Sequence, residues 1–129
     1  MRVLVCGARG FIGRQVVQRL RAQGHEVIAG VSGRAGAGEV QVDYAQDTQV
    51  ETWLPRVQGL DAVVNAVGVL RDSRSRPIRA VHADTPLALW RACAQAGVRR
   101  VVQVSALGVD TANTVYAQTK RAADQALLA

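Results

Sequence analysis

The sequence predicts a doubly wound α/β domain, a three-layer α/β/α sandwich around a parallel sheet of about five strands in the order 3-2-1-4-5. Three observations predict it. A short apolar run, Arg2-Val3-Leu4-Val5-Cys6, ends abruptly at Gly7, as a buried parallel strand should. Helical periodicity then takes over at residues 11–22. The same alternation of apolar run and helical stretch repeats to the end of the 129 residues. That length suits one domain spanning 1–129, and 49% apolar residues can fill one core.

The elements follow in order. In the first helix Ile12, Val16 and Leu20 recur at i, i+4 and i+8 with Val17 beside them. Gly24 stops it, and Arg19 and Arg21 in its last turn suit the helix dipole. Residues 26–31 read as strand two, 32–38 as a Gly- and Ser-containing loop, and 39–43 as strand three. Asp47 is placed to cap a helix whose apolar face is Val50, Trp53, Leu54 and Val57, closed by Gly59. Residues 61–66 form strand four, and 70–77 an Arg-rich surface loop. A helix covers roughly 78–96 with Leu87, Trp90 and Ala94 on one face and Leu89 and Cys93 beside it. Pro86 either kinks it or sits in the first turn of a new helix capped by Asp84. Gly97 ends it, residues 100–105 are strand five, and a last helix begins near Val115. No internal repeat or linker interrupts the series.

Ligands in such sheets bind at the carboxyl ends of the strands, where the strand order reverses. Gly7, Ser32, Asp43, Asn65 and Ser105 stand at those ends. The strongest signal is the loop Gly7-Ala8-Arg9-Gly10-Phe11-Ile12-Gly13 between the first strand and the first helix. A tight turn there needs a residue without Cβ, the backbone must approach a pyrophosphate closely, and helix and strand must pack tightly. The helix N-terminus then offers N–H groups and positive dipole to the phosphates. In this strand–turn–helix context the loop is a dinucleotide-binding signature. An NAD site usually ends strand two with Asp or Glu to hold the ribose 2′-hydroxyl. This chain has Val31-Ser32 there, with Arg34 two residues on and Arg9 inside the loop. A guanidinium pairs well with a 2′-phosphate, so NADP(H) is the expected cofactor, with NAD(H) as the alternative. Arg34 serves equally as a solvated loop residue.

The loop Gly-Ala-Arg-Gly-Phe-Ile-Gly, the segment Asn65-Ala66-Val67-Gly68 and Tyr116-Ala-Gln-Thr-Lys120 together resemble the short-chain dehydrogenase/reductase superfamily. The similarity is greatest to its extended and atypical branches, which include sugar-nucleotide epimerase-like proteins and NAD(P)H-binding relatives of a respiratory complex I subunit. It runs the length of the chain, whose Rossmann-type fold is then expected to lack the later substrate-binding region. The resemblance implies that Gly7, Arg9, Gly10, Phe11, Ile12, Gly13, Ser32 and Arg34 bind the cofactor. It also implies an adenine contact from Asp43, with Tyr44 flanking the ring, and a path for the ribose along Asn65, Ala66 and Gly68, which also support the sheet. Asp43 would serve equally as a turn cap. Ser105, Tyr116 and Lys120 are the implied catalytic residues. Tyr116 and Lys120 share one helix face at i, i+4. A phenol of pKa near 10 becomes a useful acid–base group only beside a cation, which the Lys120 ammonium supplies while also binding the nicotinamide ribose. Ser105 would polarise the substrate carbonyl or alcohol. The implied activity is oxidoreductase or epimerase chemistry by hydride transfer on a small-molecule substrate. The alternative is a non-catalytic dinucleotide-binding regulator or structural subunit. The lone Ser105, with Ala106-Leu107-Gly108 where relatives often carry a second Ser or Thr, and the expected lack of a substrate region support the alternative; His82 also stands where relatives often carry Asn.

The remaining composition narrows the partners. The net charge of +6 comes from scattered arginines without interleaved aromatics, which reads as a solvated surface and not as a nucleic-acid site. No run of 18 apolar residues exists, so no membrane insertion is expected. Cys6 and Cys93 lie in apolar runs and read as buried, reduced thiols of a cytoplasmic protein. Neither they nor His25 and His82 have ligand spacing, so no metal site is expected. Helices at 78–96 and 115–128 pair across a homodimer in the family, and the Ala- and Leu-rich tail at 122–128 is compatible with that.

Overall fold

The structure is a computed structural model and describes residues 1–67 and 80–104. Five strands form one parallel sheet: β1 (Arg2–Cys6), β2 (Glu26–Val31), β3 (Glu39–Gln41), β4 (Ala62–Asn65) and β5 (Arg100–Gln103). Their order is β3-β2-β1-β4-β5, as the sequence predicts. β1 lies at the centre, with Cys6 beside Gly30 of β2 on one side and Asn65 of β4 on the other. Strands three, four and five end at Gln41, Asn65 and Gln103, and the N–H groups of Val42, Ala66 and Val104 just beyond them still donate to the Val31, Cys6 and Asn65 carbonyls of the adjacent strands.

Period-two alternation in β1 divides the core. Leu4 and Cys6 point to one face, Val3 and Val5 to the other. The first face packs against α2 (Val50–Val57) and α3 (Thr85–Ala96) through Trp53, Val57, Leu89 and Cys93. The second packs against α1 (Phe11–Ala22) through Val17, with Val16 and Leu20 partly covered. Ile12 does not join that face: it is 49% exposed, because the first turn of α1 lies beyond the ends of the strands. The buried residues of α1 are Gly13 and Val17.

One helix start differs from the sequence reading, and another follows one of the two alternatives it left open. Asp47 does not cap α2, whose N-cap is Gln49 with no side-chain bond. Its carboxylate Oδ2 instead accepts from the Asp43 N–H at 2.8 Å and from Arg56 Nη1 at 2.7 Å. The helix begins later because those partners hold Asp47 in the preceding loop. For Pro86, Asp84 stands at the N-cap of α3 as one alternative had it, but without a side-chain cap bond and with helical φ −65° and ψ −46°, because a π-helical turn over Ala80–Asp84 runs directly into the helix. Pro86 sits in the first turn of α3. A proline has no N–H for the carbonyl four residues back and crowds it, and the wider π turn relieves both conflicts. Gly97 closes α3 in the left-handed region at φ 76°, and its N–H donates to the Cys93 carbonyl. Among the described residues, no helix is long and apolar enough to cross a membrane.

Candidate functional site

β1 delivers the chain to Gly7 at the carboxyl edge of the sheet. Gly7 has φ +80°, a conformation that L side chains rarely adopt. A Cβ there would also stand 2.9 Å from the Ala66 carbonyl oxygen. The Gly7 and Ala8 N–H groups both donate to the Gly30 carbonyl, at 3.1 and 3.2 Å, which ties the loop to the adjacent strand. Gly10 N–H donates back to the Gly7 carbonyl at 3.0 Å and closes the turn. A Cβ on Gly13 would lie 1.9 Å from that same Gly7 oxygen, so the third glycine lets α1 seat on the loop. The first N–H groups of a helix have no carbonyl one turn back. Those of α1 therefore open beside the loop, with no acidic side chain in the first turn to occupy them. The cradle fits the close approach of a pyrophosphate.

A cavity of about 520 Å³ lies over this loop, within the size range of small-molecule sites. Gly7, Arg9 and Gly10 form its floor and one wall. Val31 and Ser32 close it from the end of β2, and Asp43 from the segment after β3. Ala66 and Val67 bound it beyond β4. Of the residues expected at the cofactor, the structure thus brings together Gly7, Arg9, Gly10, Ser32, Asp43, Tyr44 and Ala66. Phe11 and Ile12 stand at the start of α1, exposed and outside the lining. Gly13 is buried beneath the loop. Arg34 contributes its backbone, whose carbonyl accepts from Arg9 Nη2 at 3.1 Å. Gly68, Ser105, Tyr116 and Lys120 lie outside the described residues.

Several side chains have structural duties at this edge. Asn65 is 0% exposed. Its Oδ1 accepts from the Tyr44 hydroxyl at 2.8 Å and the Val67 N–H at 3.2 Å, and its Nδ2 donates to Gln103 Oε1 at 2.9 Å. It braces β4 against its neighbours. Tyr44 reaches down to Asn65, and its ring meets Trp53 edge-on at 5.7 Å between centroids. Burial pushes its phenol well above the usual value, so it stays neutral. Asp43 caps its own turn, with Oδ1 accepting from the Ala45 N–H at 3.0 Å, while also lining the cavity.

Two residues at the site escape the sequence reading. Gly30 carries the carbonyl that anchors the loop, and a Cβ on it would stand 3.2 Å from Cys6 Cα. A lone glycine within a strand pattern is the signal for such a close approach. Glu39, at the start of β3, accepts from Arg9 Nη2 at 3.0 Å and from the Gly36 N–H at 2.8 Å through the same oxygen. The Gly36 N–H, and then the Arg9 guanidinium, hold its carboxyl below the usual carboxylate range. An acid opening a short strand carries no signal of this in the sequence.

Comparison with known proteins places this geometry in context. The pattern of the NAD dependent epimerase/dehydratase family matches residues 3–129. The chain is 34% identical over 112 residues to the photosystem II assembly factor Ycf39 of a Synechocystis strain, which covers 83% of this chain and 34% of that protein. The solved structure of MoeE5 in complex with UDP-glucose and NAD superimposes with a TM-score of 0.80 at 26% identity, over 99% of this chain and 48% of that one. A short-chain dehydrogenase/reductase superfamily protein from Agrobacterium tumefaciens with bound NAD shares the fold, with a TM-score of 0.84 at 24% identity over 98% of this chain and 44% of that one. The chain therefore spans from about a third to about half of the length of these relatives. A glycine cradle of the right shape at the switch point of a 3-2-1-4-5 sheet, together with a family match along nearly its whole length, makes this chain a member of the NAD dependent epimerase/dehydratase family, within the short-chain dehydrogenase/reductase superfamily.

Proposed function

We propose that the chain binds NADP(H) in preference to NAD(H) and presents it to a small-molecule substrate for oxidoreductase or epimerase chemistry. One observation carries the cofactor reading. Arg9 lines the cavity together with Ser32 at the end of β2, its Nη1 would stand 3.4 Å from a Cβ on Gly33, and no acid ends that strand. In dinucleotide folds that place holds the adenosine ribose. A cation suits a 2′-phosphate there, whereas a carboxylate would suit a 2′-hydroxyl. Ser32 and Arg34 belong to the same proposed subsite, Asp43 to the adenine end, and Gly7, Gly10, Gly13 and the first turn of α1, with Phe11 and Ile12, to the pyrophosphate. The bound nicotinamide supplies the hydride chemistry. The chain supplies a tight, positively polarised cradle, and Tyr116 would give or take the proton, with Lys120 holding the ribose and Ser105 the substrate oxygen. MoeE5 is solved with a UDP-sugar as well as NAD, which supports a polar small-molecule substrate for this chain too.

A second reading also has an observation behind it. The relative Ycf39 is an assembly factor, which supports a dinucleotide-binding role without turnover.

Melting the protein with NADPH or NADH tests the cofactor. NADPH at a hundred times its Kd should stabilise the fold by about 2.7 kcal/mol, and NADH at equal concentration by less. A larger shift with NADH overturns the preference, and no shift with either overturns the dinucleotide site. Tyr116→Phe separates the two roles. The catalytic role predicts NADPH-dependent turnover that collapses in the variant with cofactor binding retained; turnover that survives rules out Tyr116 as the acid–base group.

A further inference from the structure

We propose that Glu39, which opens β3, sets the balance between NADP(H) and NAD(H) by offsetting the charge of Arg9. The inference rests on the dinucleotide reading of the cavity and adds a specificity-determining residue that touches no part of it.

The geometry is specific. Glu39 Oε1 accepts from Arg9 Nη2 at 3.0 Å and from the Gly36 N–H at 2.8 Å. The Glu39 N–H in turn donates to the Gly36 carbonyl at 3.2 Å, so the carboxylate is rooted in a four-residue turn and does not depend on Arg9 for its position. Arg9 lines the cavity and Glu39 does not. The carboxylate therefore holds the guanidinium without itself lining the cavity. A second acceptor, the Arg34 carbonyl at 3.1 Å, fixes the same nitrogen, and Nη1 stands over Gly33, where a Cβ would lie 3.4 Å from it. The guanidinium is thereby aimed at the loop after β2 before any ligand arrives.

The chemistry follows from charge. A 2′-phosphate is close to a dianion and a 2′-hydroxyl is neutral, so a carboxylate one guanidinium away opposes the first and ignores the second. Glu39 thus has two effects. It positions Arg9 through a hydrogen bond, and it lowers the positive potential that Arg9 offers to a phosphate. The strand that would ordinarily carry the discriminating acid is β2. Here the acid comes from the neighbouring strand and acts through the arginine.

Glu39→Gln separates the two effects, because the amide oxygen still accepts from Gly36 and Arg9 while the charge is gone. Calorimetric titration of the wild-type protein and the variant with NADPH and with NADH is the test. The expected result is an NADPH Kd lowered about three- to tenfold, with the NADH Kd within about twofold of wild type. The gain should shrink as ionic strength rises from about 20 mM to about 500 mM, since the Arg9 side chain is 56% exposed. An unchanged or weaker NADPH Kd with NADH unaltered overturns the proposal and leaves the dinucleotide site standing. Equal weakening of both cofactors overturns it as well, since Glu39 would then serve only the loop. A wild-type protein that binds neither cofactor overturns the reading on which it rests. Arg9→Gln provides an independent arm and should weaken NADPH at least about tenfold while sparing NADH. An Arg9→Gln protein that holds NADPH as tightly as wild type also overturns the proposal.

Discussion

The Gly7 carbonyl oxygen is the atom on which the glycine loop turns. It accepts the Gly10 N–H at 3.0 Å, and it lies where a side chain on Gly13 would have to go. Gly13→Ala would place a methyl carbon 1.9 Å from it, and backbone cannot yield as a flexible side chain can. The expected result is a loss of about 3 kcal/mol of stability in urea unfolding, with the loop displaced and cofactor-induced stabilisation abolished. An alanine variant that melts and binds like the wild type would show that α1 does not need this contact. The three glycines were legible because backbone demands select residue type directly. The duties of Asn65 and Tyr44 were legible only in part. The sequence put both near the cofactor, with Asn65 also supporting the sheet; Tyr44 does line the cavity, and the structure adds the 2.8 Å bond from its hydroxyl to Asn65. Nothing local in a sequence distinguishes a polar strand end that faces a ligand from one that braces a sheet.

At the scale of elements, the segment between β3 and α2 is held by Asp47. Its carboxylate binds the Asp43 N–H and Arg56, and its carbonyl accepts the Trp53 indole N–H at 2.8 Å. Arg56 in turn lies over the Trp53 ring, 4.6 Å from its centroid. Both members of the Arg56–Asp47 pair are largely covered, with side chains 18% and 15% exposed. Removing one partner leaves the other charged and poorly solvated. Asp47→Ala should therefore cost about 2 kcal/mol of unfolding free energy, more than a surface pair contributes. It should also weaken cofactor binding, because Asp43 and Ala45 line the cavity on the same segment. A change below about 0.5 kcal/mol in denaturant unfolding would show the pair to be a surface ornament. The helix itself was legible from its apolar spacing. Its start was not, since an acid three residues ahead of a helix suits a cap as well as it suits a loop clasp.

For the whole molecule, the sheet buries one thiol and α3 the other. Cys6 and Cys93 are both free and buried. Burial, above all other causes, pushes the Cys6 thiol up to about 11 and the Cys93 thiol up to about 12. Neither forms thiolate at neutral pH, so both should resist Ellman's reagent in the native protein at pH 8 and react fully once unfolded. Rapid native labelling would mean that the core opens far more readily than its packing implies. The same shifts predict the direction of alkaline stability. The contribution of the neutral thiols is complete below about pH 8.5, the ordinary thiol value, and is lost as pH rises towards the folded values near 11 and 12.

The sequence alone determined the layer architecture, the strand order and the place of the glycine loop. Each of these is encoded locally: the period of apolar residues distinguishes strand from helix, crossover connections restrict topology, and a turn that a Cβ would obstruct demands glycine. Only the tertiary structure decided which charges meet. Arg9 and Glu39 are distant in the chain and become partners because β2 and β3 lie side by side with Ala29 opposite Glu39. Asp47 was drawn from cap to clasp by Arg56, one helix turn beyond the reach of any local rule. Electrostatic pairing depends on distance in space, and distance in space is what a folded sheet creates.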